Sequence, residues 1–481
     1  MRGLRNLFLT IIILSSIAIG SSTLTRGHEW GDDFASYIMQ AQSILNGQTA
    51  EFVERNTFTI FQSSIQIGPV AYPWGYPLIL APALFLNGVH ALTLKLPGLF
   101  FFAGFLICLF LLINHRLTRT ESLLLVSLFA FNPTLIKFLD QILSDIPFLF
   151  FIFLALLLMM EVKAKQNTRE NIFLGVVMFF AFFIRTTGII LLASFLVYQA
   201  SCFYREQEER KALVKTSAIV VLAFGLLWLL TSLIFPNGQG SYFEQLKGLT
   251  PAIFQENISG YFSVFEIFLG TGPAWTYIFY MLFIFFLIGA WARRITDQPL
   301  IIFFALYFMA MLFWPEWQGI RFIFPLLPIF IYFAFQGIRA IIQKLPEKYR
   351  QVLEAVSYGF WLLIVGIFLF SSATRAYANL QDNRKINGPF DPYSSDVYNY
   401  IKANTPPDSV IVFFKPRAMR LFTDRNTLMS MDCERLLLGD YIVISKKAEN
   451  SQVPPNEIDK CGLALKNLFE NQRFVVYEVP K

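Results

Sequence analysis

Apolar runs too long for a soluble core decide what this chain can be. Leu7–Leu24, Pro97–Ile113, Ile146–Met160, Val214–Phe235, Tyr277–Trp291 and Leu353–Ser371 carry almost no charge. At about 1.5 Å of rise per helical residue they are of the length that crosses roughly 30 Å of hydrocarbon. In lipid each backbone N–H and C=O must be satisfied within its own segment or in a closed barrel. The two-residue alternation of a barrel is missing, so the runs read as helices. Of 481 residues, 55% are hydrophobic and 15% charged, and the mean hydropathy is +0.53. That balance excludes a soluble globular domain.

The placement of charge gives sidedness. A net charge of +6 suggests nucleic acid only until the cations are located. Arg2 and Arg5, Arg116 and Arg119, Lys163, Lys165 and Arg169, Arg205, Arg210, Lys211 and Lys215, Arg293 and Arg294, and Lys344, Lys348 and Arg350 all fall in short segments between apolar runs. This is the positive-inside pattern, so the six segments are cytoplasmic and no nucleic-acid partner is expected. Leu7–Leu24 has no small-residue cleavage site before Arg26 and reads as a retained first span.

Six inner segments must alternate with outer ones. They do so if the Pro- and Gly-studded run Tyr76–Val89 is juxtamembrane or re-entrant; counting it as a crossing inverts every later loop. About eleven spans follow, near 7–24, 98–114, 122–137, 146–162, 172–185, 187–203, 214–235, 275–291, 298–314, 322–342 and 353–371. The N-terminus is then cytoplasmic, and loops 25–97 and 236–274 and the tail 372–481 are extracytoplasmic. The expected localisation is the plasma (inner) membrane, multi-pass. Within the tail, Tyr393–Ala403 and Glu457–Phe469 read as helices, and Val410–Phe414, Tyr441–Ser445 and Phe474–Val479 as strands, giving a small α/β domain after a membrane domain over 1–371. Cys433 and Cys461 both lie in that tail, where an oxidising compartment permits a disulfide.

An ionisable residue at a membrane edge in apolar surroundings is a functional candidate. Asp32 and Asp33 stand in Gly31-Asp32-Asp33-Phe34-Ala35-Ser36-Tyr37, before the amphipathic stretch Tyr37–Leu45, which is read as a helix lying on the membrane. An N-cap explains one of these carboxylates, not the pair. Asp145, with Asp140 nearby, lies in the short outer loop 138–146; its bland role is to favour a helix N-terminus. Arg185 and Arg321 break the scarcity of cations outside. They either snorkel to headgroups or bind an anionic phosphate, for which the guanidinium fork is suited. Lys95 is a third cation, with an interfacial anchor as its alternative. His28, His90 and His115 are scattered; no metal cluster or cofactor motif is read, and a divalent cation stays open.

Residues Gly31–Gly47 resemble the first-loop motif of lipid-carrier-dependent membrane glycosyltransferases of the C-type fold. Tyr72-Pro73-Trp74-Gly75-Tyr76-Pro77 and Leu94-Lys95-Leu96-Pro97 resemble the next block of the protein-mannosyltransferase-like and aminoarabinose-transferase-like members (glycosyltransferase families 39 and 83). Trp74 and Lys95 stand where proline and arginine are usual. Asn132-Pro133, Ser144-Asp145-Ile146-Pro147, Arg185-Thr186-Thr187-Gly188 and Arg321-Phe322 continue the likeness.

The resemblance implies a C-type glycosyltransferase fold and inverting transfer of a hexose- or pentose-type sugar from a polyprenyl-phosphate donor to a lipid, glycan or protein acceptor. Asp33 is then the general base, with Asp32 supporting and Asp145 positioning or polarising the acceptor. Arg185, Arg321, Lys95 and Tyr72 form the substrate-binding set, the cations stabilising the leaving phosphate. The competing readings are a transporter or flippase, which requires an internal repeat and charges at the bilayer midplane, a glycan polymerase or ligase, and an anchored binding protein.

Overall fold

In the computed structural model the described residues are 2–479, excepting Gln66, 163–166, 237–248, Glu316, Gln318, 383–384 and Ala448. Lys163, Lys165 and residues 237–248 of loop 236–274 therefore lie outside the described residues. The helices are α1 (Arg2–Thr23), α2 (Asp33–Asn46), α3 (Thr49–Gln62), α4 (Gly75–Asn87), α5 (Ala91–Ile113), α6 (Arg119–Ala130), α7 (Pro133–Leu139), α8 (Asp145–Val162), α9 (Thr168–Ile184), α10 (Ile189–Arg205), α11 (Arg210–Ile234), α12 (Pro251–Leu269), α13 (Pro273–Ala292), α14 (Gln298–Leu312), α15 (Leu327–Ile342) and α16 (Glu347–Asp382). A helix accounts for most of each of the eleven expected crossings. Six helical segments are individually long and apolar enough to span, or seven if the bent pair α6 and α7 counts as one. The bend between those two is 50°. It falls at Asn132-Pro133, where the proline cannot donate to the preceding turn and Asn132 caps the new helix through Thr134 N and Leu135 N.

The ends of the bundle separate as the charge pattern requires. At one end Arg116 and Arg293 both bind Asp297, Arg205 binds Gln298, and Gln336 donates to the Arg116 carbonyl. These are segments read as cytoplasmic. At the other end lie Thr25, Lys95, Asp140, Asp145 and Arg321. Helix α4 has 13 residues, with Pro82 inside. It starts against the outer end of α9, where a Cβ on Gly75 would sit 2.5 Å from the Phe183 carbonyl oxygen. The chain then enters α5 with Lys95 already bonded to Asp140 at that same end, so α4 does not cross. Inside the bundle, α13 and α15 touch backbone to backbone. A Cβ on Gly289 would lie 1.9 Å from the Phe333 carbonyl oxygen, and one on Gly337 equally close to that of Phe285, the small-residue contact that lets membrane helices approach.

Two expectations about the outer parts are corrected. Helix α2 forms, but it does not float on a membrane surface: Phe34 through Ala41 are all buried, because α4 covers one side and the tail the other. Trp30, just ahead of it, sets its edge against Phe413, Phe414 and Phe474 of the tail. The tail itself contains α17 (Pro392–Asn404), α18 (Pro416–Thr423), and strands β1 (Val410–Phe413), β2 (Asn426–Leu428), β3 (Tyr441–Ser445), β4 (Lys466–Glu470) and β5 (Phe474–Glu478). Their order is β2-β1-β3-β5-β4. β1 is parallel to β2 and β3, while β5 is antiparallel to β3 and β4. The helix expected over Glu457–Phe469 is a short 3-10 turn (Ile458–Cys461) followed by β4. Gly462 at φ +66° ends the turn in a conformation other residues resist, and β4 then gains an edge-strand ladder on β5. Cys433 and Cys461 form the disulfide. The boundary taken at 372 falls inside α16, which runs on to Asp382.

Candidate active site

The outer acidic pair is presented by the start of α2. Asp32 occupies the cap position and Asp33 the first helical one, yet Asp32 makes no side-chain capping bond. Each carboxylate is engaged elsewhere. Asp33 Oδ1 accepts the Tyr72 hydroxyl at 2.6 Å and its Oδ2 accepts Arg321 Nη1 at 3.1 Å. Asp32 Oδ1 accepts the backbone N–H of Arg417 at 3.2 Å, and Lys415 Nζ stands 3.7 Å from Oδ2. The two neighbours therefore do different work: Asp33 faces the membrane domain's cations and Asp32 holds the tail.

Tyr72 is fixed from both ends. Gln40, two turns along α2, pairs with its backbone in the manner of a strand, donating to the Tyr72 carbonyl at 2.8 Å and accepting its N–H at 3.1 Å. The ring of Tyr37 lies 4.7 Å from that of Tyr72 and edge-on to Tyr76. Tyr37 in turn hydrogen-bonds Ser144, the residue before Asp145.

Asp145 opens α8, where the positive end of the helix favours it, and it is 2% exposed. Arg185 Nη1 reaches its Oδ1 at 2.6 Å, and Arg321 Nη2 its Oδ2 at 3.0 Å. Arg185 is the break between α9 and a 3-10 turn (Thr186–Gly188). Arg321 lies on another 3-10 turn, Gly319–Ile323. Both side chains therefore leave the ends of spans and bend inward. Phe322 supports this by placing its ring 4.3 Å from the Arg185 guanidinium, a cation–π contact. Arg321 thus bridges two carboxylates, forming the chain Asp33–Arg321–Asp145–Arg185.

Exposure differs among the four members, lowest at Asp145. The Asp33 side chain is 31% exposed, Arg321 25%, Arg185 12% and Asp145 1%. Asp145 lies buried beneath the two guanidiniums it binds, Arg185 and Arg321. Among the described residues the Arg185 guanidinium makes one hydrogen bond, to Asp145, so the rest of its fork is available to an anion. Burial alone would raise the Asp33 carboxyl, but the Arg321 charge and the Tyr72 and Arg321 hydrogen bonds outweigh it and hold Asp33 below its ordinary value. Burial dominates at Asp32 and raises it. Tyr72 is pushed up by burial and by the Asp33 charge, so it remains a donor.

Lys95 is the one candidate placed elsewhere. Its ammonium is bonded to Asp140 at 2.7 Å and to the carbonyls of Thr25 and Gly27, and the pair is 0% and 1% exposed. Asp140 also accepts the Thr25 N–H and hydroxyl. This pair ties the end of α1 to α5 and α7. His28, beside it, donates to the Glu29 carbonyl and accepts the Ile142 N–H; burial lowers its pKa to about 4, leaving it neutral. Among the described residues, no group of three His, Cys, Asp or Glu side chains is arranged to hold a metal ion. Arg417, Gln40 and Ser144 were not legible as site residues: Arg417 is 385 positions from Asp32, and its Lys-Pro-Arg context marks only a helix start.

Comparison with known proteins bears on the fold that carries these residues. Residues 71–235 match the family model described as dolichyl-phosphate-mannose-protein mannosyltransferase. No curated protein sequence matches the chain. The apo oligosaccharyltransferase of Archaeoglobus fulgidus is similar in structure with a TM-score of 0.62, over 92% of this chain and 69% of that one, at 12% identity. ArnT from Cupriavidus metallidurans bound to undecaprenyl phosphate gives 0.56, over 97% of both chains, at 12% identity. Arabinofuranosyltransferase AftD from Mycobacteria gives 0.50, over 98% of this chain and 40% of that one, at 12% identity. At such identities the likeness is one of fold: the chain has the C-type glycosyltransferase fold, a helical membrane domain followed by a small sheet domain.

Proposed function

We propose that this chain, a multi-pass membrane protein of C-type glycosyltransferase fold, moves a sugar from a polyprenyl-phosphate-linked donor to an acceptor hydroxyl or amide on the extracytoplasmic face, with inversion. The observation that carries the proposal is the chain Asp33–Arg321–Asp145–Arg185, half-open at Asp33 and with guanidinium donors to spare at Arg185. Transfer from a lipid phosphate needs two things in one place. A base must take the proton of the attacking group, and fixed positive charge must meet the phosphate as its negative charge grows.

Asp33 is the base and Arg185, steadied by Asp145 and Phe322, meets the phosphate, with Arg321 holding the two halves in register. A carboxylate kept below its ordinary pKa is ionised at neutral pH but weakly basic. It therefore takes the proton late, once bonding to the sugar carbon has acidified the acceptor. The new bond forms at C1 as the C1–O bond to phosphate breaks, the electron pair leaves on the phosphate oxygen, and the proton ends on Asp33. Tyr72 and Arg321, one on each oxygen of Asp33, hold the carboxylate in place for this step. Lys95 has no part in substrate binding.

Dolichyl phosphate appears in the family description and undecaprenyl phosphate in the ArnT structure, which supports a polyprenyl carrier here. The acceptor is a lipid, a glycan or a protein. The test is incubation of detergent-purified protein with polyprenyl-phosphate sugars of hexose and pentose type, with a membrane extract as acceptor and mass spectrometry of the products. A mass increase of one sugar on an extract component, dependent on the donor, is expected. No product from any such donor contradicts the proposal and favours a transporter.

A further inference from the structure

The tail contacts the acidic pair through one short helix. α18 begins Pro416-Arg417. The proline has no N–H to satisfy, so the Arg417 N–H is the first free donor of the helix and it points at Asp32. The Arg417 side chain passes beneath the loop before α4 and is 0% exposed. Its Nη1 donates to the Ile67 carbonyl at 3.3 Å and to the Tyr72 hydroxyl oxygen at 3.5 Å, and its Nη2 donates to the Pro69 carbonyl. The guanidinium lies 5.4 Å from the Tyr72 ring centre, and Nε is buried with no partner among the described residues. A wholly buried cation held by carbonyls and a phenol is an expensive way to dock a domain. Docking is already provided by Arg55 on Asp424, Ser64 on Asp432 and Arg435 on the Ser63 carbonyl.

A phenol has one proton to give. With a guanidinium N–H directed at its oxygen, the hydroxyl hydrogen of Tyr72 turns to Asp33, and the accepted bond polarises the one donated. We infer that Arg417 is a positioning residue for transfer: acting through Tyr72 it sets the hydrogen bond on Asp33, while its own backbone holds Asp32 aside, so the C-terminal domain completes the active site. This inference rests on Asp33 being the base.

The test is a double-mutant cycle on the full-length protein in detergent, with Arg417→Gln and Tyr72→Phe, reading kcat, donor KM and the acid side of the pH–rate profile. The charged and titratable groups facing Asp33 are Arg321, Tyr72, Arg417, Asp32, Tyr37 and His28. Only Tyr72 and Arg417 are altered. Each single variant is expected to lower kcat roughly tenfold, the size of one hydrogen bond to a charged group, with donor KM unchanged and the acid limb moved to higher pH. The double variant is expected to fall no further than Tyr72→Phe alone. If Arg417→Gln does not yield folded protein, Arg417→Lys serves: it keeps the charge and loses the fork, and should lower kcat less than Gln with the same absence of additivity. Losses that multiply in the double variant, or a folded Arg417 variant with wild-type kcat and pH profile, overturn the inference while leaving Asp33 in place. Wild-type transfer by Asp33→Asn, measured alongside, overturns both.

Discussion

Two sets of buried charge stand side by side at the outer end of the helices, and they differ in how completely they are closed. Lys95 and Asp140 are almost wholly buried, and each is bonded to groups of the chain itself: Thr25 and Gly27 receive the ammonium, and Thr25 donates to the carboxylate. The second set runs from buried Asp145 out to Asp33, which is 31% exposed on its side chain. Its arginines come from span ends and bridge carboxylates in a line rather than a closed pair. From sequence the two sets look alike, acids and bases at a membrane edge. The difference teaches that pairing alone does not separate the two sets; unused donors and partial exposure do, and they make the second set the candidate.

The comparison breaks most easily at Asp140. Asp140→Asn leaves the Lys95 ammonium buried without its counter-charge, which is expected to cost about 3–5 kcal/mol of stability. A large fall in folded yield and melting temperature, with transfer per folded molecule unchanged, is the expected outcome. Lost transfer in a fully folded Asp140→Asn protein would show that the closed set is also catalytic. Arg185→Lys tests the open set: the charge stays and the fork goes, and kcat/KM for the donor should drop by about 10- to 100-fold, with melting temperature nearly unchanged. Equal loss of stability and rate would make Arg185 a structural residue like Lys95.

Smaller effects sharpen the same contrast. Because Asp33 is held below its ordinary value by Arg321 and Tyr72, it stays ionised down to and below the ordinary carboxylate pKa of about 4, and transfer limited by Asp33 should be flat through pH 5. Tyr72→Phe removes one lowering contribution, so the acid limb should move up in pH, with a rate loss of roughly tenfold at neutrality. A downward or absent shift would detach Tyr72 from Asp33. The smallest effect is expected for Lys95→Met combined with Asp140→Leu. Exchanging a buried ion pair for apolar side chains of similar volume is often neutral, and transfer should remain at the wild-type rate.

Much of this arrangement was written in local sequence. Apolar runs, short basic loops and Pro-Gly punctuation suffice to find the helices, and they also identify α4 as a segment that does not cross. Asp33, Asp145, Arg185 and Arg321 stand out because charge is scarce at a membrane edge, and the structure joins all four. Lys95 stands out for the same reason, but the structure buries it against Asp140, a partner that nothing in its local sequence names. The strand Lys466–Glu470 was hidden by apolar spacing at Ile458, Leu463, Leu465 and Leu468 that suits a helix. Only pairing with β5 decides it. Arg417 reaches Asp32 and Tyr72 through contacts 385 and 345 residues apart, a distance over which a single sequence carries no signal.

The central claim is that the open set does chemistry, and Asp33→Asn tests it most directly. Asparagine keeps the side-chain volume and still accepts the Tyr72 hydrogen bond, but it cannot take a proton at neutral pH. Purified wild-type and Asp33→Asn proteins, matched for monodispersity and melting temperature, are compared for sugar transfer from the same polyprenyl-phosphate donor. A fall of about 10²- to 10⁴-fold in rate, the usual size of a general-base contribution, is the predicted result. A well-folded Asp33→Asn protein that transfers sugar at the wild-type rate would contradict it.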